Sequence, residues 1–389
     1  MKVLFCHNYY QRPGGEDQVF ADEARLLQSR GHTVVQFTMH NDAVGAMRKA
    51  AIAVRTLWNS ASYADLRQLI RRERPDVMHC HNTFPLMSPS VYYAARAERV
   101  PVVQTLHNYR LICPRADFTR SAGPCEQCVA RRWAWPAVRY RCYRDSRAAS
   151  AVVAGMLAFH RVRRTWSRRI TLYCALTEFA RKKFVQAGWP EDKIVVKPNF
   201  VLSDAGAGSG DGGYAVFVGR LSPEKGVRTL LEAWRSLQVP IALKIVGDGP
   251  LQHEVRRAAN GSGTVEWLGQ RPHEEVLGII GRAACLIMPS VWYETFGRTM
   301  IEAYCRGTPV IASRLGAMAE LVDDGRTGRL FAPGDSEDLA EKVAEMLAGR
   351  RPPAAMREAA RAEFEAKYTA DINYRQLCEM YNTVTATVV

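Results

Sequence analysis

The 389-residue chain has no apolar run near the roughly 20 residues a membrane-spanning helix requires. Its longest candidate, "AASAVVAGMLAF", reaches only about 12. A small-residue cleavage site is missing too. The opening "MKVLFCHNYY" runs into Gln11 and Arg12, so it reads as a first core strand and not as a signal peptide. A cytoplasmic protein is the expectation. Acidic residues are scarce: 39 Asp and Glu face 53 Lys and Arg, a net charge of +14. That balance calls for an acidic partner, whether nucleic acid, anionic lipid or a phosphorylated substrate. Ten cysteines in a reducing compartment are read as buried small side chains or metal ligands, not as disulfides.

What is present, 47% hydrophobic and 24% charged residues, is the composition of a soluble globular protein. The length exceeds one ordinary core, so two domains are expected. The first half alternates apolar strands ("KVLFCHN", "TVVQFTM", "DVMHCHN", "VPVVQTLHN") with amphipathic helices, the signature of a parallel sheet covered on both faces. The pattern is disturbed over 110–169 and resumes at "ITLYCAL" and "IVVKPNF". "SDAGAGSGDGG", residues 203–213, reads as a flexible linker. The same alternation then restarts with "YAVFVGRL" and runs through "IALKIVGDG", "VEWLG", "CLIMPS" and "PVIAS". The expected division is 1–202, a linker 203–213, a second domain 214–368 and a C-terminal helix 369–389. The fold class is α/β, two Rossmann-like doubly wound domains across a cleft, with ligands at the carboxyl ends of the strands.

Several motifs fall at those ends. Gly14 and Gly15 open a helix just after the first strand, where a backbone can approach a phosphate closely; a plain tight turn explains them equally well. "GRLSPEKG" sets Arg220 and Lys225 beside a helix start, two cations suited to a diphosphate, against the alternative of a solvated loop. "VGDGPL" has Gln252 where a dinucleotide fingerprint needs its third glycine, which argues against a nicotinamide enzyme. "ETFGRTMIE" carries Glu294 in a loop and Glu302 inside the following helix, with the N–H groups of Phe296, Gly297 and Arg298 around them. Glu294 can meet sugar hydroxyls and Glu302 a ribose diol. The plainer alternative makes Glu294 a helix-dipole acid and Glu302 a surface residue. "VMHCHN" and "TLHN" place His79, His81, Asn82, His107 and Asn108 at two strand ends, where a His-x-His metal site is one option.

Together "GRLSPEKG", "VGDGP", the Gly14-Gly15 pair with its acid, "SRGHTV" and the Glu294–Glu302 run resemble the retaining glycosyltransferase family 4, of GT-B type, across nearly the whole chain. The resemblance implies that Arg220 and Lys225 neutralise the diphosphate of a UDP-, GDP- or ADP-sugar, and that Glu302 holds the ribose. It implies that Glu294 contacts the transferred sugar, that Phe296 to Thr299 offer backbone N–H groups, and that Gly15 approaches from the other domain. His107 is expected beside the donor sugar, and His79 or His81, with Asn82, on the acceptor side. No metal or cofactor is expected in the chemistry, which the resemblance implies to proceed with retention. The C-terminal run is expected to cross back onto the first domain.

The disturbed segment carries its own chemistry. Cys113, Cys125, Cys128 and Cys142 follow C-x11-C-x2-C-x13-C, near the spacing of a structural zinc, with a redox-labile pair or free thiols as the alternatives. Between Arg110 and Ile170 stand fourteen arginines against Asp117, Glu126 and Asp145, interleaved with Trp133, Trp135 and Trp166. An anionic membrane surface is preferred here over nucleic acid, since the family's acceptors include lipid-linked sugars. The combined expectation is a sugar transferase acting on a saccharide acceptor of cell-surface polysaccharide synthesis, peripheral on the inner face of the membrane. Its competitors are a sugar-nucleotide epimerase on the same scaffold and a non-enzymatic RNA-binding or scaffold protein.

Overall fold

The computed structural model describes residues 1–11, 14–120, 123–347 and 353–386. Arg12 and Pro13, which lead into the glycine pair, and the last three positions of the expected C-terminal helix lie outside them. The chain forms two units: Met1–Arg120, Cys125–Asn199 and Asn373–Val389 make unit 1, and Ser121–Pro124 with Phe200–Ile372 make unit 2.

Unit 1 holds a parallel sheet of β1 (Lys2–Tyr9), β2 (Thr33–His40), β3 (Val77–Asn82), β4 (Val102–Leu106), β5 (Leu172–Ala175) and β6 (Ile194–Val196), in the order β2-β1-β3-β4-β5-β6. Strands β3 and β4 are buried along their whole length, as a parallel sheet covered on both faces demands. The outer strand β2 instead alternates between half-buried and exposed residues. Helix α1 (Gly15–Ser29) packs Phe20, Ala24 and Leu27 on the sheet. The C-terminal helix Ala370–Ala386 adds Leu377, Met380, Tyr381 and Val384 to the same core.

Unit 2 repeats the plan with β7 (Tyr214–Val218), β8 (Ala242–Val246), β9 (Val265–Gly269), β10 (Cys285–Met288), β11 (Val310–Ser313) and β12 (Gly328–Phe331), ordered β9-β8-β7-β10-β11-β12. In both sheets the order reverses direction beside the first strand, so loops after β1 and β3, or β7 and β10, diverge and leave room at their carboxyl ends.

The disturbed segment is irregular for a stated reason. Seven of the ten non-glycine residues with positive φ among those described fall within 110–169, from Ala116 to Arg164. Helix α2 (Arg147–Val162) is its one long element. The Gly-rich stretch 203–213 departs from the expected flexible linker. It is laid along unit 2 by hydrogen bonds from the Gly208, Gly210 and Gly212 amides to the carbonyls of Arg306, Gly281 and Arg282, at 2.9, 3.0 and 2.8 Å. Asp204 pairs with Arg361 at 2.5 Å. The small residues serve close backbone contact here, since a Cβ on Gly208 would collide with the backbone of Gly281.

Gly208→Ala is therefore expected to lower stability by about 1–3 kcal/mol through overpacking. Gly278→Ala, in the middle of an exposed helical turn with nothing within 4 Å, is expected to raise it by roughly 0.5–1 kcal/mol. Urea unfolding of the two variants checks both signs.

Candidate active site

In unit 2 the carboxyl ends of β7 and β10 converge on one carboxylate. Glu294, 6% exposed, receives Lys225 Nζ at 2.5 Å, Ser290 Oγ at 2.8 Å and Trp292 Nε1 at 2.8 Å, all on Oε1. The Lys225 ammonium also lies 5.2 Å from the centre of the Trp292 ring. Lys225 can reach because Gly226 follows it with φ +70°, and a Cβ there would run into the Pro289 carbonyl at the end of β10. Burial alone would raise the Glu294 carboxyl. The Lys225 charge and the three donated hydrogen bonds outweigh it and hold the group below its ordinary range.

Helix α3 (Arg298–Cys305) begins after Gly297. Glu302 is buried on it, 6% exposed, and accepts Arg298 Nε at 3.0 Å. The plainer alternative for Glu302 fails on burial, since it is not a surface residue. Arg298, expected for its backbone N–H, contributes its guanidinium as well. Phe296 is an anchor, buried against Tyr368 with ring centres 6.0 Å apart. Thr299 opens the second position of α3. Arg220, at the end of β7, is exposed and its guanidinium makes no hydrogen bond or ion pair among the described residues. The "VGDGP" loop is tied to this strand end by the Leu221 amide, which donates to Asp248 O at 2.7 Å.

In unit 1 the strand ends carry a chain of imidazoles. His81 Nδ1 and His107 Nε2 are 2.9 Å apart, and both residues line a small cavity of about 40 Å³ with Asn82, Phe84, Asn108 and Arg110. Burial, reinforced by neighbouring imidazoles and Lys197, pushes both rings well below the ordinary histidine range, so both are neutral. His79 belongs to the core instead of the acceptor side. It is fully buried, with Tyr381 OH at 2.8 Å from Nδ1 and Thr105 Oγ1 at 2.7 Å from Nε2. Asn82 spends its amide on Asn8 O at 2.6 Å and on the Phe84 amide at 3.0 Å. The glycine pair behaves unevenly: the Gly14 amide already donates to Asp17 Oδ2 at 2.8 Å, while Gly15 is the first residue of α1 with open space around it.

These strand ends can be set beside known proteins. Residues 205–363 match the family described as glycosyl transferases group 1, and residues 14–199 the glycosyl transferase 4-like domain. Phosphatidyl-myo-inositol mannosyltransferase of Mycobacterium leprae is 30% identical over 409 aligned positions, covering 98% of this chain and 96% of that one. The chain belongs to the GT-B glycosyltransferases. An Anabaena protein, HepE, solved in complex with UDP, shares the fold of this glycosyltransferase at a TM-score of 0.70 and 20% identity, covering 98% of this chain and all of that one. Other curated relatives match over a shorter span: against glycogen synthase of Mycobacterium tuberculosis, 34% identical over 172 residues, this glycosyltransferase spans 39% of the relative's length.

The arginine-rich segment places Cys113 in the interior and Cys125, Cys128 and Cys142 half-buried. Among the described residues only Glu23, His79 and His81 bring three ligand-type atoms within 4.8 Å of one another, so the four thiols do not form a closed cage. Sequence reasoning missed Ser290 and Trp292, whose positions inside "PSVWYE", just ahead of Glu294, were the available signal. It also missed Glu16, half-buried at the start of α1, which bonds Asn108 at 3.2 Å and is pushed by burial up to about 7.

A depressed carboxyl favours the folded state above its unfolded value of 4.5 and loses that contribution as pH falls through the lower folded value. Glu294→Gln is thus expected to be less stable than wild type near neutral pH but to lose less Tm between about pH 7 and about pH 3. Calorimetric scans giving parallel Tm–pH curves would count against the assignment.

Proposed function

We propose that this glycosyltransferase moves a sugar, with retention of anomeric configuration, from a nucleotide-diphosphate sugar to a saccharide acceptor carried on a lipid. The observation that carries the reading is the Lys225–Glu294 pair at the β7 and β10 ends, next to an exposed Arg220. Charge accumulates on the diphosphate as the glycosidic bond breaks. Arg220 and Lys225 supply positive charge where it develops, and a partly water-excluded setting strengthens their effect. Glu294 receives its three side-chain donors on Oε1 and turns Oε2 to the sugar hydroxyls. Glu302, oriented by Arg298, holds the ribose diol. His107, neutral, is the unit 1 residue assigned to the sugar. No enzymic base is assigned, and the residues require no metal for these steps.

The lipid part rests on the surface of unit 1. Trp133 lies over Gly155 of α2, and Phe159 and Val162 continue the same helical stripe at i+4 and i+7, 44% and 76% exposed. Trp135 and Tyr140 are exposed beside them, with Arg131 stacked 5.6 Å from Trp135 and Arg120 4.1 Å from Tyr140. Exposed aromatic rings ringed by arginine suit an anionic headgroup layer. No helix among the described residues is long and apolar enough to cross a membrane, so attachment through this face would be peripheral. On this reading the enzyme works at the inner face of the membrane, in the synthesis of a cell-surface polysaccharide or glycoconjugate.

Incubation with UDP-, GDP- and ADP-sugars and an extracted lipid-linked saccharide should release one nucleoside diphosphate, with the product anomer matching the donor by NMR. Arg220→Ala and Lys225→Ala should each lower kcat/KM by about 3 kcal/mol, roughly a hundredfold. Conversion of free nucleotide sugar without acceptor would favour the epimerase instead. Vesicle sedimentation should show binding to anionic lipid that weakens as salt shortens the Debye length, with a salt-resistant part lost in a Trp133→Ala/Phe159→Ala variant. Equal binding to neutral vesicles, or tight binding of single-stranded RNA without lipid binding, would refute the membrane reading.

A further inference from the structure

Buried charge in this glycosyltransferase is paired. Lys197 Nζ lies 2.6 Å from Glu23 Oε1, and Lys225 Nζ 2.5 Å from Glu294 Oε1. Arg110, in the loop after β4, departs from that rule: it is half-buried and makes no ion pair among the described residues. A guanidinium cannot avoid the cost by losing a proton, so the charge stays.

What holds the Arg110 side chain in place leaves its edge unused. The guanidinium carbon lies 4.5 Å from the centre of the Phe84 ring and 5.1 Å from that of Tyr143. Such ring contacts meet part of the charge and accept none of the in-plane hydrogens. Nη1 donates to Pro114 O, whereas Nε, shut off from solvent, has no partner. The two acids that feel its field answer it weakly. Asp117 is taken by Arg115 at 2.9 Å, and Glu16, bonded to Asn108, is pushed by burial up to about 7.

Arg110 also lines the cavity of about 40 Å³ that His81 and His107 share. The residues of that wall include no Asp, Glu or Lys, and both imidazoles are neutral, so Arg110 brings the only charge to it among the described residues. The space admits about three water-sized atoms, enough for a carboxylate or one face of a phosphate and too little for a sugar ring. An uncharged hydroxyl would fit it and leave the cation unanswered. Fastening the Pro114 carbonyl explains one N–H, and neither the charge nor the unused Nε.

We propose that Arg110 anchors an anion subsite in unit 1, which takes a carboxylate or phosphate group of the acceptor. Nε–H and the adjacent Nη2–H form the fork that bonds both oxygens of such a group. A carboxylate would come from an acidic sugar, a phosphate from the lipid carrier. Placing the anion on the acceptor rests on the transfer reading above; anion binding at Arg110 does not.

Proton–nitrogen correlation spectra of isotope-labelled full-length protein, with the Arg110 Nε–H signal assigned through its own backbone, test the subsite without donor or acceptor. Sodium glucuronate or inorganic phosphate should move that signal saturably, with a Kd on the order of 10 mM or tighter, while glucose should not. No shift with either anion, or an equal shift with glucose, overturns the proposal whether or not any variant folds. In transfer to an extracted lipid-linked saccharide, Arg110→Gln should lower kcat/KM roughly tenfold or more, chiefly through the acceptor's KM. Arg96→Gln, the same change of charge on an exposed unit 1 side chain, should lower it less than about twofold. Equal losses in the two variants overturn the assignment to the acceptor. Reducing the acceptor's carboxyl groups to alcohols separates the two sources: a loss of wild-type transfer as large as that of Arg110→Gln assigns the sugar carboxylate, and unchanged transfer assigns the lipid phosphate. Signal shifts as stated, with no transfer to any acceptor, refute the transfer reading and leave the anion subsite established.

Discussion

A buried charge must be paired, and each unit of this glycosyltransferase meets that demand at the carboxyl ends of its sheet. Glu23 with Lys197 in unit 1 and Glu294 with Lys225 in unit 2 are both carboxylate–ammonium pairs drawn from separate elements. An unpaired carboxylate at either depth would be driven to its neutral form. Each pair therefore couples the loops and helices that contribute to it: α1 to the end of β6 in one unit, the β7 loop to the β10 loop in the other.

That economy explains why polar residues tolerate strands with no solvent. His79 and His81 interrupt β3, every residue of which is buried. Tyr381 from the C-terminal helix, Thr105 from β4 and His107 from its end supply partners at 2.7–2.9 Å. The C-terminal helix therefore does more than cover apolar surface in unit 1. It completes the hydrogen bonding of a strand some 300 positions earlier in the chain, at a sequence separation of 302. Removing such a partner would leave a buried ring nitrogen without one, at a cost of about 1–3 kcal/mol.

The arginine-rich segment obeys a different constraint. It runs through seven positive-φ residues and leaves Trp133, Trp135, Tyr140 and Phe159 exposed, while Trp166, expected on the same surface, is buried at 5% exposure together with Phe118. Arginines stacked on Trp135 and Tyr140 make those rings part of a charged surface and not a second core. No three of the four cysteines in this segment bring their sulfurs within 4.8 Å of one another.

From the sequence alone came the two alternating halves, the position of the donor-side motifs at strand ends, and the resemblance to a GT-B glycosyltransferase, because period-two and period-3.6 apolar patterns and short loop motifs are local properties of the chain. Arg220, Lys225, Glu294 and Glu302 could be named as candidates for the same reason. Partnership was not. Lys225 reaches Glu294 across 69 positions and Lys197 reaches Glu23 across 174, contacts that exist only once two strands lie side by side. Burial turned His79 from an acceptor-side candidate into a core residue, and backbone packing turned a Gly-rich linker into a strap, since both depend on what the fold lays against them. Local chemistry named the residues; the tertiary structure decided which charge each one answers, because pairing in a buried setting is settled by distance in space and not by distance along the chain.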